Sequence, residues 1–380
     1  MQVFCLCELD ELAPYADDWD RLAGGVPFRN WAWLSTWWKH YQRDHRRDHP
    51  GTQLMVPCVF DRSDRLIGLA PWYVDHRNPL GRVVRMLGTG EVCSDYLSVL
   101  CQPGQEYPVT RALCDCLTGS EHAEDYDRQP WDLLELTGCD AEDLAIGHLV
   151  RHFGERGHTV HRRSGPNCWR IELPASWEEY LAGLSKGHRK RLRRLERSVL
   201  DTDRAAFHTV EHVDDLPHAM DILVDLHQRR WRALGEPGCF ASPRFAAFHR
   251  EVAPKTLLGG QLQLHWLELD GKPAAAEYDL AGGGVVYSYQ SGVDPEILDR
   301  EPGRLMNLFT LRRAIEQGYR AFDFLRGDEP YKARYRAEPR PSVTVRVVPN
   351  RPAAQLRHHL WLAGTNVKHW IKSGLGLAKV

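Results

Sequence analysis

Short apolar runs, interrupted by Gly, Pro and Asp, alternate along the chain with segments of helical periodicity. In the first half, β-rich runs at 53–61 and 65–75 are separated by Arg62-Ser63-Asp64, which predicts a hairpin. Strands alternating with helices predict an α/β or α+β fold. The other predicted elements of this half are strands at 82–87, 96–100, 132–137, 158–162 and 168–173, and helices at 107–118 and 141–153.

The second half repeats this order more clearly. Asp270-Gly271 and the glycines at 282–284 provide turns that predict an antiparallel meander of three strands. A helix at 304–317 is predicted because its leucines share one face, and Gly318 ends it. We therefore expect two copies of one fold, in which Gln105 and Glu106 stand where the second copy has Arg304 and Leu305. The remaining elements of this half are strands at 262–269, 274–280, 285–290, 320–325 and 342–348, and a short helix from about 328.

Composition limits the class of protein. The chain has 380 residues, and a length of more than two times ~150 suggests at least two domains. Its 43% hydrophobic and 26% charged residues are typical of a soluble globular protein, and no apolar run approaches the ~20 residues of a membrane span. The acidic N-terminus lacks the pattern of an export signal, so we expect a cytoplasmic location with reduced thiols. Neither the ten cysteines nor the nineteen histidines show metal-ligand spacing, so no metal is expected.

Two segments are strongly basic. Residues 186–197 carry seven Lys and Arg and one Glu within a helix that has a thin apolar stripe. This segment is either a solvated helix face or a clamp for a polyanionic substrate. The C-terminal segment 351–380 predicts an amphipathic helix, packed on its own domain or lying on a membrane surface. The predicted division is an N-terminal domain (1–170), a helical linking segment (171–240), a catalytic domain (241–350) and this helix.

A Pro-Gly turn precedes the helix at 304–317. Helix N-termini expose unpaired N–H groups at the positive end of the helix dipole, and Gly303 permits close approach of an anion. Such a turn is often only a turn. The turn nevertheless lies between the predicted meander and a strand that returns to the same sheet. This position indicates a site where a nucleotide-bearing cofactor could lie between two strands that separate.

The residues around this turn resemble a known family. YSYQSGVDP (287–295), EPG (301–303) and FDFLRGDEPYK (322–332) are similar to the second domain of CelD/BcsL-type acyltransferases of the GNAT superfamily, which resemble the Fem aminoacyltransferases in having two GNAT domains in tandem. Two segments of the first half, IGLAPWYV (67–74) and CSDYLSVL (93–100), resemble the first domain of the same family. SKGHRKRLRRLER (185–197) and LHQRRW (226–231) resemble the linking helices. The resemblance implies transfer of an acyl group from acyl-CoA to an amine, with an active second domain and a mainly structural first domain.

The resemblance also implies a cofactor loop of the form R/Q-x-x-G-x-G/A. Arg300 and Gly303 match this pattern, whereas Leu305 replaces the last small residue. Arg304 adds positive charge, and we assign Gln290 to the cofactor with these residues. Because of the replacement at Leu305, aminoacyl-tRNA remains an alternative donor, and a binding protein without catalysis remains a third possibility.

Attack on a thioester needs a neutral amine, so a carboxylate is expected to take a proton from it. Glu277 and Asp279 share one face of their predicted strand, and Asp323 leaves the face that its neighbouring phenylalanines bury. We predict Glu277 and Asp323 as catalytic residues and Asp279 as a substrate ligand. The alternatives are an exposed strand face for the first pair and a paired structural carboxylate for Asp323.

Other polar side chains complete the predicted site. Tyr331 is expected to protonate the leaving thiolate, a role that the resemblance implies, although packing against the sheet is an alternative. Lys332 and Tyr287 are predicted substrate ligands. The alternative for Lys332 is a solvated side chain that binds no substrate. Backbone N–H groups of a bulged strand near 288–292 would stabilise the tetrahedral intermediate. The acceptor is open among small-molecule amines and cell-envelope precursors, and the oligomeric state is open too.

Overall fold

The computed structural model describes residues 1–42, 51–119, 131–200, 202, 204–360 and 362. Within these ranges the chain forms two mixed sheets flanked by helices, which confirms the predicted fold class. The strands are β1 (Gln2–Leu6), β2 (Thr52–Phe60), β3 (Leu66–Leu69), β4 (Trp72–Asn78), β5 (Gly81–Met86), β6 (Leu100–Cys101), β7 (Leu133–Asp140), β8 (Thr159–Ser164), β9 (Cys168–Glu172), β10 (Ala205–Thr209), β11 (Leu262–Leu269), β12 (Lys272–Gly282), β13 (Val285–Val293), β14 (Ala321–Arg326), β15 (Glu338–Arg340) and β16 (Ser342–Val348).

The helices lie between these strands and on both faces of the sheets. Residues 352–360 are also helical, whereas 361 and 363–380, the rest of the predicted C-terminal helix, lie outside the described residues. No helix in the described ranges is both long and apolar enough to cross a membrane. The helices are α1 (Leu9–Leu12), α2 (Ala16–Leu22), α3 (Trp31–Tyr41), α4 (Glu106–Thr118), α5 (Leu144–Glu155), α6 (Trp177–Gly183), α7 (Lys186–Leu195), α8 (Leu216–Ala233), α9 (Pro243–Leu258), α10 (Pro302–Glu316) and α11 (Pro330–Arg334).

The sheets exchange strands across the predicted domain boundaries. The first sheet has the order β6-β3-β2-β4-β5-β7-β16-β8, with β1 on β2, and the second has the order β10-β11-β12-β13-β14-β9-β15. β16 lies in the first sheet although the prediction placed it in 241–350, because Val343, Val345 and Val347 bury one face there between β7 and β8. β9 crosses to the second sheet, where it pairs with β14. The period of an apolar run gives its buried face but not its partner strand.

The boundary predicted at 240 also differs from the structure. β10 pairs with β11, and α8 packs on β12 and β13, so most of the predicted linking segment is part of the second sheet's domain. α7 begins at Lys186 because Ser185 Oγ accepts the N–H of His188 over 3.4 Å. Leu192 and Leu195 are buried on α7, which confirms the packed stripe, whereas the side chains of Arg191 and Arg194 are exposed.

Both sheets contain one parallel pair joined through a helix, as a duplicated fold requires. β5 and β7 are joined through α4, and β13 and β14 are joined through α10. In the first sheet the space beyond this pair is filled, because Leu97 N donates to Gly138 O at 2.9 Å. The predicted strand at 96–100 is therefore mostly a buried irregular segment, with only Leu100–Cys101 in a strand.

A common core joins the two domains. Trp33 of α3 is fully buried against Phe248 of α9, at a ring distance of 5.0 Å, and against Tyr289 of β13, at 5.5 Å. Phe28 contacts Tyr287 in the same cluster at 5.7 Å. Burial of large aromatic rings stabilises such an interface by several kcal/mol. The first domain therefore holds α9 and β13 of the second in place.

Candidate active site

The two central strands of the second sheet, β13 and β14, separate halfway along their length and leave a gap between them, the splay. β13 and β14 are paired only from Val285 to Tyr287 and from Ala321 to Asp323. Past Tyr287, β13 continues to Val293 and, within the described part of the chain, pairs with β12 alone. Its backbone groups on the β14 side are therefore open to an extended ligand that bonds as a strand does.

A bulge in β13 marks the point of separation. Tyr278 of β12 pairs with Gln290, whereas Asp279 pairs with Ser288, so Tyr289 has no residue opposite it. A bulge turns backbone groups out of the regular ladder. The bulge predicted near 288–292 is thus confirmed, at the place where an acyl carbonyl would need N–H donors.

The predicted cofactor loop lies beside the open part of β13. α10 begins at Pro302, so Gly303 lies in its first turn. A Cβ on Gly303 would stand 3.3 Å from Cγ1 of Val293. Pro302 has no N–H, and Arg304 N and Leu305 N donate to Glu301 O at 3.0 and 3.1 Å, so the N–H of Gly303 is the first-turn donor next to the splay. The positive end of the helix dipole makes this a favourable position for an anion.

Arginines surround a carboxylate at the start of α10. Glu301, in the left-handed conformation with φ 60°, forms ion pairs with Arg304, with Arg191 at 2.5 Å and with Arg194 at 3.4 Å. Arg191 and Arg194 belong to α7, so the basic helix reaches the cofactor loop. Arg300 is held elsewhere, with its Nη2 2.6 Å from Oδ2 of Asp270.

A buried pair of carboxyl groups lies on β12. Glu277 is 2% exposed and Asp279 is 0% exposed, so the alternative of an exposed strand face is wrong. Ser288 Oγ donates to Oε1 of Glu277 over 2.5 Å. Neither oxygen of the Asp279 carboxyl has a hydrogen-bond partner of normal geometry among the described residues, and the charged group it interacts with is the neighbouring carboxyl of Glu277.

The surroundings of this pair favour the protonated form of a carboxyl group. Burial raises the pKa of Glu277, and burial together with the charge of Glu277 raises the pKa of Asp279 well above its usual value. Two carboxyl groups this close do not both ionise in a dry site. We therefore expect Asp279 to keep its proton to a higher pH than Glu277, whose carboxylate Ser288 stabilises.

This assignment predicts a pH-dependent gain of stability in Asp279→Asn. In the folded protein the raised pKa keeps Asp279 protonated at a pH where the unfolded chain has released its proton, so the free energy of unfolding falls as pH rises above the unfolded pKa. Asparagine is neutral in both states and still donates to Glu277. We expect the Tm of the variant to exceed that of the wild type by more at pH 8 than at pH 5. The exposed Asp221→Asn on α8 is the control, and equal Tm differences at both pH values would contradict the shared proton.

Two tyrosines lie on the same side of the sheet as the carboxyl pair. The charge of Glu277 contributes to raising the pKa of both Tyr331 and Tyr335, although burial is the larger cause. Tyr331 is 41% exposed, with its ring 5.8 Å from that of Phe324, so the phenol is accessible. Tyr335 is buried, and its hydroxyl interacts with Arg304 of the cofactor loop and with Asn307 one turn later. The four-residue spacing of the tyrosines was the only sequence signal for Tyr335.

Asp323 lies on the opposite face and has a structural environment. Oδ2 accepts from Tyr96 at 2.5 Å and from Arg170 at 2.9 Å, and Oδ1 accepts from Leu325 N at 2.8 Å. Its exposure is 0%. Leu325 has φ 55°, so Asp323 holds a strained bend where β14 turns away from β13. The predicted role as a base is corrected to the alternative of a paired structural carboxylate, because three hydrogen bonds hold its two oxygens and no part of the side chain is exposed.

Lys332 does not face a ligand either. It is 2% exposed, and its Nζ donates to the carbonyl oxygens of Leu325, Arg326 and Gly327 at 3.0 to 3.2 Å. Glu329 is 2.9 Å away. An ammonium group has three N–H donors, so the predicted contact with substrate is replaced by a brace across the loop that follows β14.

Two more predicted ligands lie on the face that packs on α8 and α9. Tyr287 is buried between Phe28 and Tyr96, at ring distances of 5.7 and 5.9 Å, and serves the core instead of binding a substrate. Gln290 Oε1 lies 3.5 Å from the thiol of Cys239, away from the cofactor loop. The sheet thus divides the predicted residues between two faces.

The first domain supplies residues that the sequence alone did not reveal. Asp95 binds Arg326 at the end of β14, with Oδ1 2.6 Å from Nη2, and Ser94 O accepts from the same guanidinium at 3.1 Å. With the bond from Tyr96 to Asp323, these contacts hold β14 apart from β13. The two residues of each contact lie more than 200 positions apart in sequence. The sequence drew attention to Ser94, Asp95 and Tyr96 only as part of the motif CSDYLSVL (93–100).

Comparison with known proteins identifies the fold. Residues 186–333 match the family of acetyltransferase (GNAT) domains, and no curated protein matches the chain. Among solved structures, FemX is similar over 94% of this chain and 99% of its own, with 11% identity and a TM-score of 0.62. A conserved protein of unknown function from Bacteroides thetaiotaomicron matches over 90% and 98%, with 12% identity and a TM-score of 0.50. A tandem GNAT protein from the clavulanic acid biosynthesis pathway matches over 91% and 98%, with 14% identity and a TM-score of 0.45.

These findings agree with the geometry. The matched segment runs from the start of α7 to α11 and contains the splay, the cofactor loop and the carboxyl pair. Among the residues with described positions, no three His, Cys, Asp or Glu side chains are grouped as a metal ion would need. Residues 186–333 of this chain are therefore similar to acetyltransferase (GNAT) domains, and the chain as a whole has a fold similar to that of FemX.

Proposed function

We propose that the chain is an N-acyltransferase that moves an acyl group from acyl-CoA to an amine. The observation that carries this proposal is the separation of β13 from β14 beside the first turn of α10. An extended thioester needs free strand edge for its amides and positive potential for its phosphates. Both lie within one GNAT domain here.

The donor is held by groups with complementary charge. The N–H of Gly303, in the first turn of α10, binds a phosphate oxygen, and the lack of a side chain at this glycine leaves room for it. Arg304 adds positive charge and exchanges its bond to Glu301 for one to phosphate. The amides of the pantetheine arm bond to β13 beyond Tyr287. The acyl carbonyl then lies at the bulge of Tyr289, whose region supplies N–H donors to the oxyanion.

The proton transfers follow from the carboxyl pair and Tyr331. Glu277, ionised and with a raised pKa, takes a proton from the attacking ammonium or through one water, which leaves a neutral nucleophile. Asp279 keeps its proton and orients Glu277. After collapse of the intermediate, the accessible phenol of Tyr331 protonates the leaving thiolate. The acceptor is a small-molecule or cell-envelope-type amine.

A second candidate function is aminoacyl transfer from tRNA. The observation that favours it is the approach of α7 to the cofactor loop, where Arg191 and Arg194 contact Glu301. α7 and its C-terminal extension carry seven Lys and Arg residues within 186–197. A continuous basic surface of this kind suits a polynucleotide backbone, and binding would weaken steeply with salt.

Thermal denaturation with each donor separates the two functions. A ligand that binds only the folded state stabilises it by about 2.7 kcal/mol at a hundred times its Kd, so we expect acetyl-CoA or a longer acyl-CoA to raise the Tm. Arg304→Gln should reduce this increase, whereas Arg111→Gln on α4 of the first domain should not. A Tm that is unmoved by millimolar acyl-CoA and raised by charged tRNA would reverse the assignment.

A further inference from the structure

A thiol, an imidazole and a carboxamide are aligned behind the splay. Cys239 begins a 3₁₀ turn after α8, and its Sγ lies 3.3 Å from Nε2 of His227. Nδ1 of His227 lies 3.0 Å from Oε1 of Gln228. His227 and Gln228 are 2% and 7% exposed, whereas Cys239 is partly accessible. The mechanism proposed above uses none of the three.

The carboxamide fixes the tautomer of the imidazole. Gln228 Nε2 donates to the carbonyl oxygen of Pro237 at 2.9 Å, so Oε1 is the atom that faces His227. Oε1 only accepts, so Nδ1 of His227 carries the proton and donates it to this oxygen. The lone pair of Nε2 then points at the thiol. Burial lowers the pKa of His227, so the imidazole is neutral and ready to accept a proton.

The thiol itself is protonated at rest. Burial raises the pKa of Cys239 to about 12, although its own N–H and that of Phe240 partly stabilise the thiolate. A thiol in this state is a weak nucleophile until a base removes its proton. His227 is the base in contact, and Gln228 orients it, so the three residues have the relationship of nucleophile, base and orienting group.

The thiol is next to the strand that the acyl group would follow. Sγ lies 3.5 Å from Oε1 of Gln290, the residue that follows the bulge in β13. α8 is pressed against this strand, since a Cβ on Gly292 would lie 2.5 Å from the backbone nitrogen of His227. The sulfur therefore approaches the splay from the face opposite to Glu277. Gly292 leaves the space that allows this approach.

We infer that Cys239 is an acyl-accepting nucleophile, so that transfer passes through a thioester on the protein. His227 Nε2 takes the thiol proton as Sγ attacks the thioester carbonyl of the donor. The bond from carbon to the CoA sulfur breaks, and Tyr331 protonates the departing thiolate as in the proposed function, while His227 keeps the proton of Cys239. The amine then loses a proton to Glu277 and attacks the Cys239 thioester, and the amide forms as the bond from carbon to Sγ breaks. Sγ takes its proton back from His227, and the proton on Glu277 restores the phenol of Tyr331. The inference rests on the proposed function, because it requires an acyl thioester as donor.

Mass spectrometry of the full chain tests this directly. We expect acid-quenched protein to carry one acetyl group after incubation with acetyl-CoA, or with S-acetyl-N-acetylcysteamine, which lacks the nucleotide. The group should map to Cys239, and neutral hydroxylamine should remove it as it removes a thioester. Cys239→Ala should abolish it, and Cys239→Ser should slow it at least ~10²-fold. Cys93→Ala is the matched control, because Cys93 is an exposed thiol, and loading should be unchanged.

The pH dependence of acylation distinguishes a base from a residue that only packs. His227→Gln should slow acylation of Cys239 at least ~10²-fold, and rising pH should restore much of the rate because hydroxide then forms the thiolate. A loss that is equal at every pH would assign His227 to packing and overturn its role as base.

The outcomes separate this inference from the proposed function. If acetyl-CoA raises the Tm and neither thioester loads Cys239, the covalent step is overturned and the acyl-CoA assignment stands. If acetyl-CoA does not bind and the small thioester loads Cys239, the nucleophile is supported and the CoA donor is wrong. If acetyl-CoA does not raise the Tm and neither thioester loads Cys239, the covalent step and the acyl-CoA assignment are both wrong. Loading that persists in Cys239→Ala contradicts the assignment of the residue.

Discussion

Glu277→Gln is expected to lower kcat by ~10² to 10⁴, the usual contribution of a positioned general base. Glutamine keeps the size of the side chain but cannot take a proton from the amine. Acyl-CoA should still raise the Tm of the variant, because Glu277 does not hold the phosphates. The measurement is release of CoA with primary amines as acceptors, and Glu268→Gln on the neighbouring strand β11 is the control.

The pH profile distinguishes a base from a structural carboxylate. The ionised form of Glu277 is the active one, so kcat should rise with pH through a pKa above the usual range of a glutamate. Ser288→Ala removes a hydrogen bond that lowers the pKa of Glu277, so the acidic limb should move to higher pH. An unchanged profile in Ser288→Ala, or a wild-type kcat in Glu277→Gln, would remove Glu277 from the mechanism.

Asp323→Asn is expected to reduce the free energy of unfolding by about 3 to 5 kcal/mol, the usual cost of breaking a buried ion pair from one side. The change leaves Arg170 without its partner at a position where the guanidinium is only 15% exposed. It also weakens the bond from Leu325 N that holds the bend of β14. Chemical denaturation measures the loss, and the exposed Asp328→Asn in the following loop should change stability by less than about 1 kcal/mol.

The same variant tests the corrected role of Asp323. A structural carboxylate predicts that the molecules still folded at low temperature keep kcat within about tenfold, whereas loss of a catalytic base would lower it by ~10² or more. In the double variant Asp323→Leu with Arg170→Leu, we expect part of the stability to return, because no charge is left buried. Failure to recover any stability would mean that Arg170 and Asp323 do not act as a pair.

Local pattern was enough to identify most elements and the site of the donor loop. Turn residues at 270–271 and 282–284 fixed the meander, and Gly318 fixed the end of α10, because these effects depend on neighbours in sequence. The two-residue period correctly placed Glu277 and Asp279 on one face of β12. It did not show that this face is buried beneath the helices, which is what raises their pKa values and makes them a proton-sharing pair.

The sequence by itself determined the order of strands and helices, the repetition of one fold and the positions of the bulge and the Pro-Gly turn. Only the tertiary structure decided which polar residues meet. In the folded chain Asp323 faces Arg170 and Tyr96. The ammonium group of Lys332 donates to three carbonyl oxygens, and Arg191 contacts Glu301. The tertiary structure also joined Cys239 to His227 across a turn without periodicity. The physical reason is that propensity and period act over a few residues, whereas burial, pairing and proton sharing depend on contacts between distant segments.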